Sequence, residues 1–213
     1  MTDHPTGKKR GRNFSPLVWV VDHDLKTSAQ CLSHKYLEKT ISYLCDCLLM
    51  ARIYTIKGVR TKRMMDYWTA DDARKFNFLE DVASGLSMIH FKLVSNFQNK
   101  VVKWTRKCLE NYQYFHDYLA LCLEEWDKRG YPEHVKQDLG DTLLSVSPPR
   151  RLLQSHRPVV LEWKTLPPKY REKDVIAGRR RYYCARIADP MKEFADNPNG
   201  VPGFFNTVLE TFG

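Results

Sequence analysis

The sequence lacks any run of about 18 uninterrupted apolar residues, the length that a membrane-spanning helix needs, and its first residues contain no apolar signal core. It also lacks a phosphate-binding glycine loop, a dinucleotide fingerprint, a G-x-S-x-G elbow and an H-E-x-x-H helix. These absences argue against the commonest nucleotide-dependent enzymes and hydrolases. We therefore expect a cytoplasmic protein with no membrane partner.

Cysteine is present but poorly arranged for metal binding or disulfides. Of six cysteines, only Cys45 and Cys47 are close in sequence, as a C-x-C pair, and neither has a histidine or cysteine at zinc-finger spacing. Most of the six lie within apolar, helix-like patterns. We expect buried reduced thiols, no metal ion and no cofactor.

Acidic residues are few compared with basic ones: 25 Asp and Glu oppose 34 Lys and Arg, which leaves a formal charge of +9. The excess is concentrated. Residues 147–186 contain eleven basic residues and three acidic ones, a local charge of +8, and a second basic patch lies within residues 8–12. Clustering of this kind indicates a polyanionic partner. We expect double-stranded DNA, bound by a monomer.

The hydrophobic pattern predicts a mainly α-helical fold with one domain over residues 16–213, preceded by a flexible basic arm over residues 1–15. The run Leu17–Val21 is rich in β-branched and aromatic residues and predicts one short strand. Apolar residues at three- and four-residue steps predict a helix from Thr27 to about Tyr54. Further helices are predicted over 69–97, 99–128 and 172–187, with a long proline-rich loop over 138–170.

Several groups of residues are suited to chemistry at a polyanion. Asp22 ends the predicted strand in an Asp-His-Asp sequence, which suggests either a site carboxylate or simple helix capping by Asp24. Lys35, Glu38 and Lys39 share one helix face, where they form either a reactive group or surface ion pairs.

A second set of residues is suited to contact with DNA. His156 and Arg157 offer proton transfer and phosphate binding from the proline-rich loop, unless they are merely solvated. Trp104 and Arg106 either stack on a base and bind a phosphate or belong to the core. The remaining basic candidates for DNA binding are Arg150, Arg151, Arg179 and Arg180.

Four blocks of sequence, taken in order, resemble the pyrimidine-dimer DNA glycosylase family and related phage proteins. The blocks are Leu17 to Lys39, which contains SAQCLSHKYLEK, then VVKWTRKCLENYQYFHDYLALCLEEWDKRGY, then PPRRLLQSHRPVVLEWKTLPPKY, and finally DVIAGRRRYYC. The S-H-R loop and the E-W-x-x-R-G-Y ending are the most specific parts. The resemblance implies an all-helical DNA-binding fold that acts on a damaged or modified pyrimidine.

In the family that this chain resembles, the α-amine exposed by removal of the first Met attacks the sugar C1′ and a Glu assists. This implies Thr2 as the nucleophile and Glu38 as the assisting residue, followed by strand cleavage through a Schiff base. The chain departs from the family in its roughly fifteen residues before Leu17, in Tyr43 where a Glu is common, and in Asn99-Lys100 where His-Pro is expected. These departures make Asp22, Lys35 and Lys39 alternative reactive groups.

Three functions follow from these observations. The first is base excision from DNA of the pyrimidine-dimer glycosylase type, with or without lyase activity. The second is remodelling of modified thymines in phage DNA without strand cleavage. The third is a DNA-binding or host-interaction protein without catalysis.

Overall fold

The computed structural model describes residues 18–57, 100–149, 152, 159 and 166–212. Within these residues it contains eight α-helices and one 3₁₀ turn, which confirms the mainly α-helical prediction. The predicted arm over residues 1–15 and the predicted helix over 69–97 lie outside the described residues. The helices are α1 (Leu25–Gln30), α2 (His34–Lys57), α3 (Lys100–Thr105), α4 (Leu109–Lys128), α5 (Gln137–Ser145), α6 (Val175–Cys184), α7 (Pro190–Glu193) and α8 (Phe204–Phe212); the 3₁₀ turn is Pro168–Tyr170.

The long helices α2 and α4 pack side by side and run antiparallel. Arg129, just after α4, donates to the carbonyl of Leu32 just before α2, at 2.8 Å. At the other end, Arg52 of α2 donates to the hydroxyl of Tyr112 near the start of α4, at 3.2 Å. The helical spacing of apolar residues within the predicted range 99–128 implies one inward face, and the residues of that face are all buried: Val102, Leu109, Tyr112, Phe115, Tyr118, Leu119, Leu123 and Trp126.

Two predicted helices are each interrupted by a short break. The helix expected from Thr27 is divided into α1 and α2 at residues 31–33, and the one expected from Asn99 is divided into α3 and α4 at residues 106–108. At the first break, the Ser33 N–H donates to the Tyr183 hydroxyl at 2.9 Å. At the second, the Asn111 side chain donates to the Trp104 carbonyl at 2.8 Å. Side chains therefore satisfy the main-chain groups that the breaks free.

The prediction of a continuous loop over residues 138–170 is wrong at its start, where α5 occupies Gln137–Ser145. Leu139 and Leu143 are buried and lie four residues apart, so they share the inward face of this helix. The Pro148-Pro149 pair just after α5 predicts an irregular segment, and it masks the helical spacing of Leu139 and Leu143 in the sequence. The predicted last helix is shorter than expected, since α6 begins at Val175, capped by the Asp174 carboxylate, and ends at Cys184.

The segment Val18–Val21 is buried, and none of its residues is assigned to a strand. Side chains serve its peptide groups: Arg179 donates to the Val18 carbonyl at 2.9 Å, Arg180 donates to the Val21 carbonyl at 2.7 Å, and the Val21 N–H donates to the Ser28 hydroxyl at 2.9 Å. The Tyr118 hydroxyl donates to the Trp19 carbonyl. The predicted strand includes Leu17, which lies outside the described residues.

The junction between α1 and α2 is held by one buried guanidinium. Arg129 binds the carboxylate of Glu125 at 2.8 Å and donates to the carbonyls of Ala29, Gln30 and Leu32 at 3.3, 3.1 and 2.8 Å. Its side chain is completely buried. The Asn199 amide donates to the same Glu125 oxygen, Oε1, at 2.7 Å, so this oxygen accepts hydrogen bonds from two side chains.

We predict that Arg129→Met lowers the free energy of unfolding by about 3–5 kcal/mol, because it removes the charge partner of the buried Glu125 carboxylate and one donor to each of three main-chain carbonyls. Urea denaturation of the purified variant measures the loss. Lys128→Met is the matched control, since Lys128 approaches the same Glu125 at 4.0 Å but its side chain is 57% exposed. Equal stability losses in the two variants would contradict this account of the junction.

Candidate nucleic-acid interface

The acidic turn after Val21 contains two carboxylates with different roles: Asp24 caps a helix and Asp22 forms an ion pair. The Asp24 carboxylate accepts hydrogen bonds from the Thr27 hydroxyl at 2.6 Å and the Thr27 N–H at 2.7 Å, which lower the pKa of Asp24. Asp24 is therefore the cap of α1. Asp22 forms an ion pair with Arg180, and the exposed His23 ring lies 3.7 Å from Asp174. The structure thus brings together Asp22 and Arg180, one from the predicted reactive group and one from the predicted DNA-binding group.

The first turn and a half of α2 presents the predicted amines around one aromatic ring. Lys35 and Lys39 are exposed, and their ammonium groups lie 5.6 and 5.8 Å from the centre of the Tyr36 ring. Glu38 is exposed on the same part of the helix, while its main-chain carbonyl interacts with the His134 ring at 3.2 Å. Cation–π attraction therefore orients both lysines beside Tyr36.

A third cation approaches the Tyr36 side chain from outside α2. Arg186 is exposed just after α6 and acts on the Tyr36 hydroxyl. Burial raises the pKa of this hydroxyl, and the interaction with Arg186 opposes that increase. We call Lys35, Lys39 and Arg186 the cation surface. Two carboxylates belong to the same region: Glu38 is exposed between the two lysines, and the Glu193 carboxylate raises the pKa of Tyr36 and accepts from the Ser33 hydroxyl at 2.7 Å.

Buried aromatic residues hold the two parts of the cation surface in place. The Trp19 ring contacts Tyr36 edge-on at 5.2 Å and stacks on Tyr182 at 5.6 Å, while Tyr36 contacts Tyr183 at 4.9 Å. All four rings are buried. They cannot stack on nucleic-acid bases, but they fix the positions of α2 and α6 relative to each other.

The structure corrects or limits several of the proposed DNA contacts. Arg179 was expected to bind DNA, and this is wrong: its side chain is completely buried between the Val18 carbonyl and the Tyr114 and Tyr118 side chains. Trp104 is half-buried and packs against Tyr114 and Phe115, at 5.9 and 5.0 Å, as part of the core. Arg106 is half-buried beside it. Thr2, Arg150, Arg151, His156 and Arg157 lie outside the described residues.

Several basic side chains in and near α6 form contacts within the protein. Arg180 pairs with Asp22, Arg181 pairs with Glu172 at 2.5 Å, and the Arg171 side chain donates to the Leu166 carbonyl at 2.9 Å. Together with the buried Arg179, these contacts show that the local charge of +8 overstates the charge offered to a partner. Sequence reasoning missed Arg186 as a surface residue because it was one arginine among many, and only its contact with Tyr36 distinguishes it.

The thiols are not placed for nucleophilic chemistry. All six cysteines are free, and five are buried. Burial raises the pKa of Cys31 to about 11 and those of Cys45 and Cys184 to about 12, and it raises those of Cys47 and Cys122 as well. These five side chains therefore remain protonated near neutral pH, where thiols are weak nucleophiles.

Within the described ranges, the structure contains no group of three or more His, Cys, Asp or Glu side chains that could hold a metal ion. None of the described helices is long and apolar enough to cross a membrane. No protein-family model, curated protein or solved structure matches the chain. The residues themselves are thus the basis for proposing a function.

The 3₁₀ turn is held tightly against α6 at one glycine. A Cβ atom added at Gly178 would lie 2.2 Å from the main-chain oxygen of Tyr170. The close approach brings Tyr170 within 5.0 Å of the Tyr182 ring and places Lys169, at 4.7 Å, over the Tyr170 ring. Only glycine allows this contact without a shift of main chain.

We predict that Gly178→Ala displaces the 3₁₀ turn and lowers the free energy of unfolding by about 1–3 kcal/mol, the usual cost of overpacking. Thermal or urea denaturation measures the loss, and NMR shift changes centred on residues 168–171 locate it. Gly203→Ala is the control, because a Cβ at Gly203 meets no atom within 4 Å. A Gly178→Ala variant as stable as the control would show that the turn is not held by this contact.

Proposed function

We propose that the protein binds duplex DNA through the cation surface and excises a damaged or modified pyrimidine from it. The observation that supports the binding part is the convergence of three cations on the buried Tyr36 side chain: Lys35 and Lys39 from α2, and Arg186 from just after α6. Three exposed cations on a rigid base suit contact with phosphates, because little side-chain and main-chain freedom remains to be lost on binding.

The local electrostatics favour a polyanion over a small acidic ligand. Lys35 and Lys39 lie against an aromatic ring, and neither forms an ion pair within 4 Å in the part of the chain that the structure describes. Their charges therefore remain available to an external anion. Arg186 can use its guanidinium nitrogens to bind a phosphate while it stays in contact with Tyr36.

The excision part of the proposal uses the same group of residues. Lys35 and Lys39 supply amines beside the Glu38 carboxylate, and Asp22 lies in its ion pair with Arg180 on the segment that contacts Tyr36 through Trp19. Asp22, Lys35 and Lys39 are the alternative reactive groups that follow from the chain's departures from the pattern of the pyrimidine-dimer glycosylases. The two lysines are four residues apart on one helix face, so either reaches a nucleotide bound there.

The proposed reaction begins when the Glu38 carboxylate takes a proton from the ammonium group of Lys35 or Lys39, and the neutral amine so formed adds to C1′ of the sugar. The other lysine stays charged and bound to phosphate. The bond between C1′ and the base breaks, and the base leaves with a proton that the amine releases. Protonation of the sugar ring oxygen by Glu38 then opens the ring and gives a protonated Schiff base. Lysine attack in this form needs no cofactor.

We predict that Lys35→Gln, Lys39→Gln and Arg186→Gln each weaken binding to duplex DNA of any sequence and each reduce the salt slope of log K by about 1, because each removes one phosphate contact. Fluorescence anisotropy with a labelled 20-base-pair duplex, between 50 and 300 mM salt, measures both quantities.

Lys107→Gln is the matched control for this titration. Lys107 is exposed before α4, at the opposite end of the α2–α4 pair from Lys35, so its loss should leave the slope unchanged. If the parent protein's affinity barely depends on salt, or if the control loses as much as the cation-surface variants, the proposed binding surface is wrong.

For excision, we expect borohydride to trap a covalent adduct with a duplex that contains an abasic site, because hydride reduces a Schiff base to a stable secondary amine. Peptide mapping by mass spectrometry should place the adduct on Lys35 or Lys39, and the double variant with both lysines changed to Gln should form none. An adduct at the N-terminal amine would favour the family mechanism over lysine attack.

The two alternative functions are separated by the same experiment. Turnover of a modified thymine without an adduct or a strand break would favour base remodelling. DNA binding without an adduct, base release or base change would favour a binding protein with no catalysis.

A further inference from the structure

A second candidate site lies at the end of α6, and none of the buried rings Trp19, Tyr36, Tyr182 and Tyr183 is among the residues that line it. A cleft of about 460 Å³ opens between the 3₁₀ turn, the end of α6 and α8. Its volume lies within the roughly 300–1,000 Å³ that is typical of small-molecule sites. None of the three residues of the cation surface lines it, so it is a separate feature of the molecule.

The cleft is apolar over most of its surface. Side chains from three parts of the chain form this lining, among them Ile187, Pro190, Phe205 and Val208. The Cys184 thiol also reaches the cleft, but burial raises the pKa of Cys184 to about 12, so it contributes a small apolar surface and no nucleophile. A ring or other flat apolar group would displace water from this lining favourably.

Positive charge is confined to one wall of the cleft. Lys169 and Arg181 both line it, and both lie over the Tyr170 ring, at 4.7 and 6.0 Å from its centre. Arg181 forms an ion pair with Glu172 through Nη1, at 2.5 Å. Among the described residues, this wall therefore presents two cations and one carboxylate beside an apolar surface.

From this arrangement we propose that the cleft binds a nucleoside monophosphate. The apolar lining formed by Ile187, Phe205 and Val208 suits a planar base, and Lys169 and Arg181 suit the phosphate. Apolar surface and cations in one cleft match the two ends of such a ligand. The proposal does not rest on DNA binding or excision at the cation surface.

The test is an NMR titration of the full chain with thymidine monophosphate, thymidine and inorganic phosphate. We expect saturable shift changes at Tyr170, Phe205 and Val208 with the monophosphate, and affinity at least tenfold weaker for either the nucleoside or phosphate alone. Lys169→Gln and Arg181→Gln should each weaken binding of the monophosphate at least threefold. Lys173→Gln, which removes an exposed cation outside the cleft, should not.

Three results would overturn the proposal: no saturable binding of the monophosphate, equal affinity for inorganic phosphate, or equal binding by the parent protein and both cleft variants. Because Lys169→Gln leaves the Arg181–Glu172 pair intact, it tests the cleft even if Arg181→Gln disturbs α6. Lys35→Gln should bind the monophosphate normally, so failure of the cleft proposal and failure of the DNA-binding proposal are seen in different variants.

Discussion

Peptide groups buried outside a helix must find hydrogen-bond partners, and this requirement governs the rest of the structure. Residues 18–21 and the break at residues 31–33 are such segments within the described part of the chain. Side chains of α4 and α6, Arg129 just after α4, and Asn197 in the loop after α7 supply their partners. Unpaired, each buried group would cost about 1–3 kcal/mol. The positions of α4 and α6 are therefore set by the main chain that they serve as well as by apolar contact.

The same requirement explains why the net charge of the sequence overstates the positive charge at the surface. Arginine has five N–H donors in a planar group, so it can serve several carbonyls from within the protein, as Arg129 does for three of them. A net charge counts such residues together with those that face solvent. Arg179 and Arg186 are seven residues apart in one basic stretch, yet the first is buried and the second is exposed. Only their contacts assign one to the interior and the other to a candidate interface.

What the sequence predicts well here is periodicity, and what it misses is long-range hydrogen bonding. The inward face of α4 follows from apolar spacing alone, because burial of that face is what makes the spacing necessary. The break before α2 depends on Arg129 and Asn197, which lie 97 and 165 residues from Leu32. No local pattern contains that information. For the site, the shared face of Lys35, Glu38 and Lys39 follows from helix geometry, whereas the contact of Arg186 with Tyr36 depends on how α6 packs against α2.

The hydrogen bond from Arg179 to Val18 joins residues 161 positions apart and has a consequence for the order of folding. During synthesis, the apolar Val-Trp-Val-Val segment leaves the ribosome long before α6 exists, so the Val18 and Val21 carbonyls lack their native donors and Trp19 lacks its contacts with Tyr182 and Tyr183. Helices α2 and α4 can pair earlier, whereas the N-terminal segment can dock only when the chain is nearly complete. Late docking leaves an apolar segment of high β-propensity exposed, and open to aggregation, during most of translation. The fold is completed only when the C-terminal third of the chain has been made.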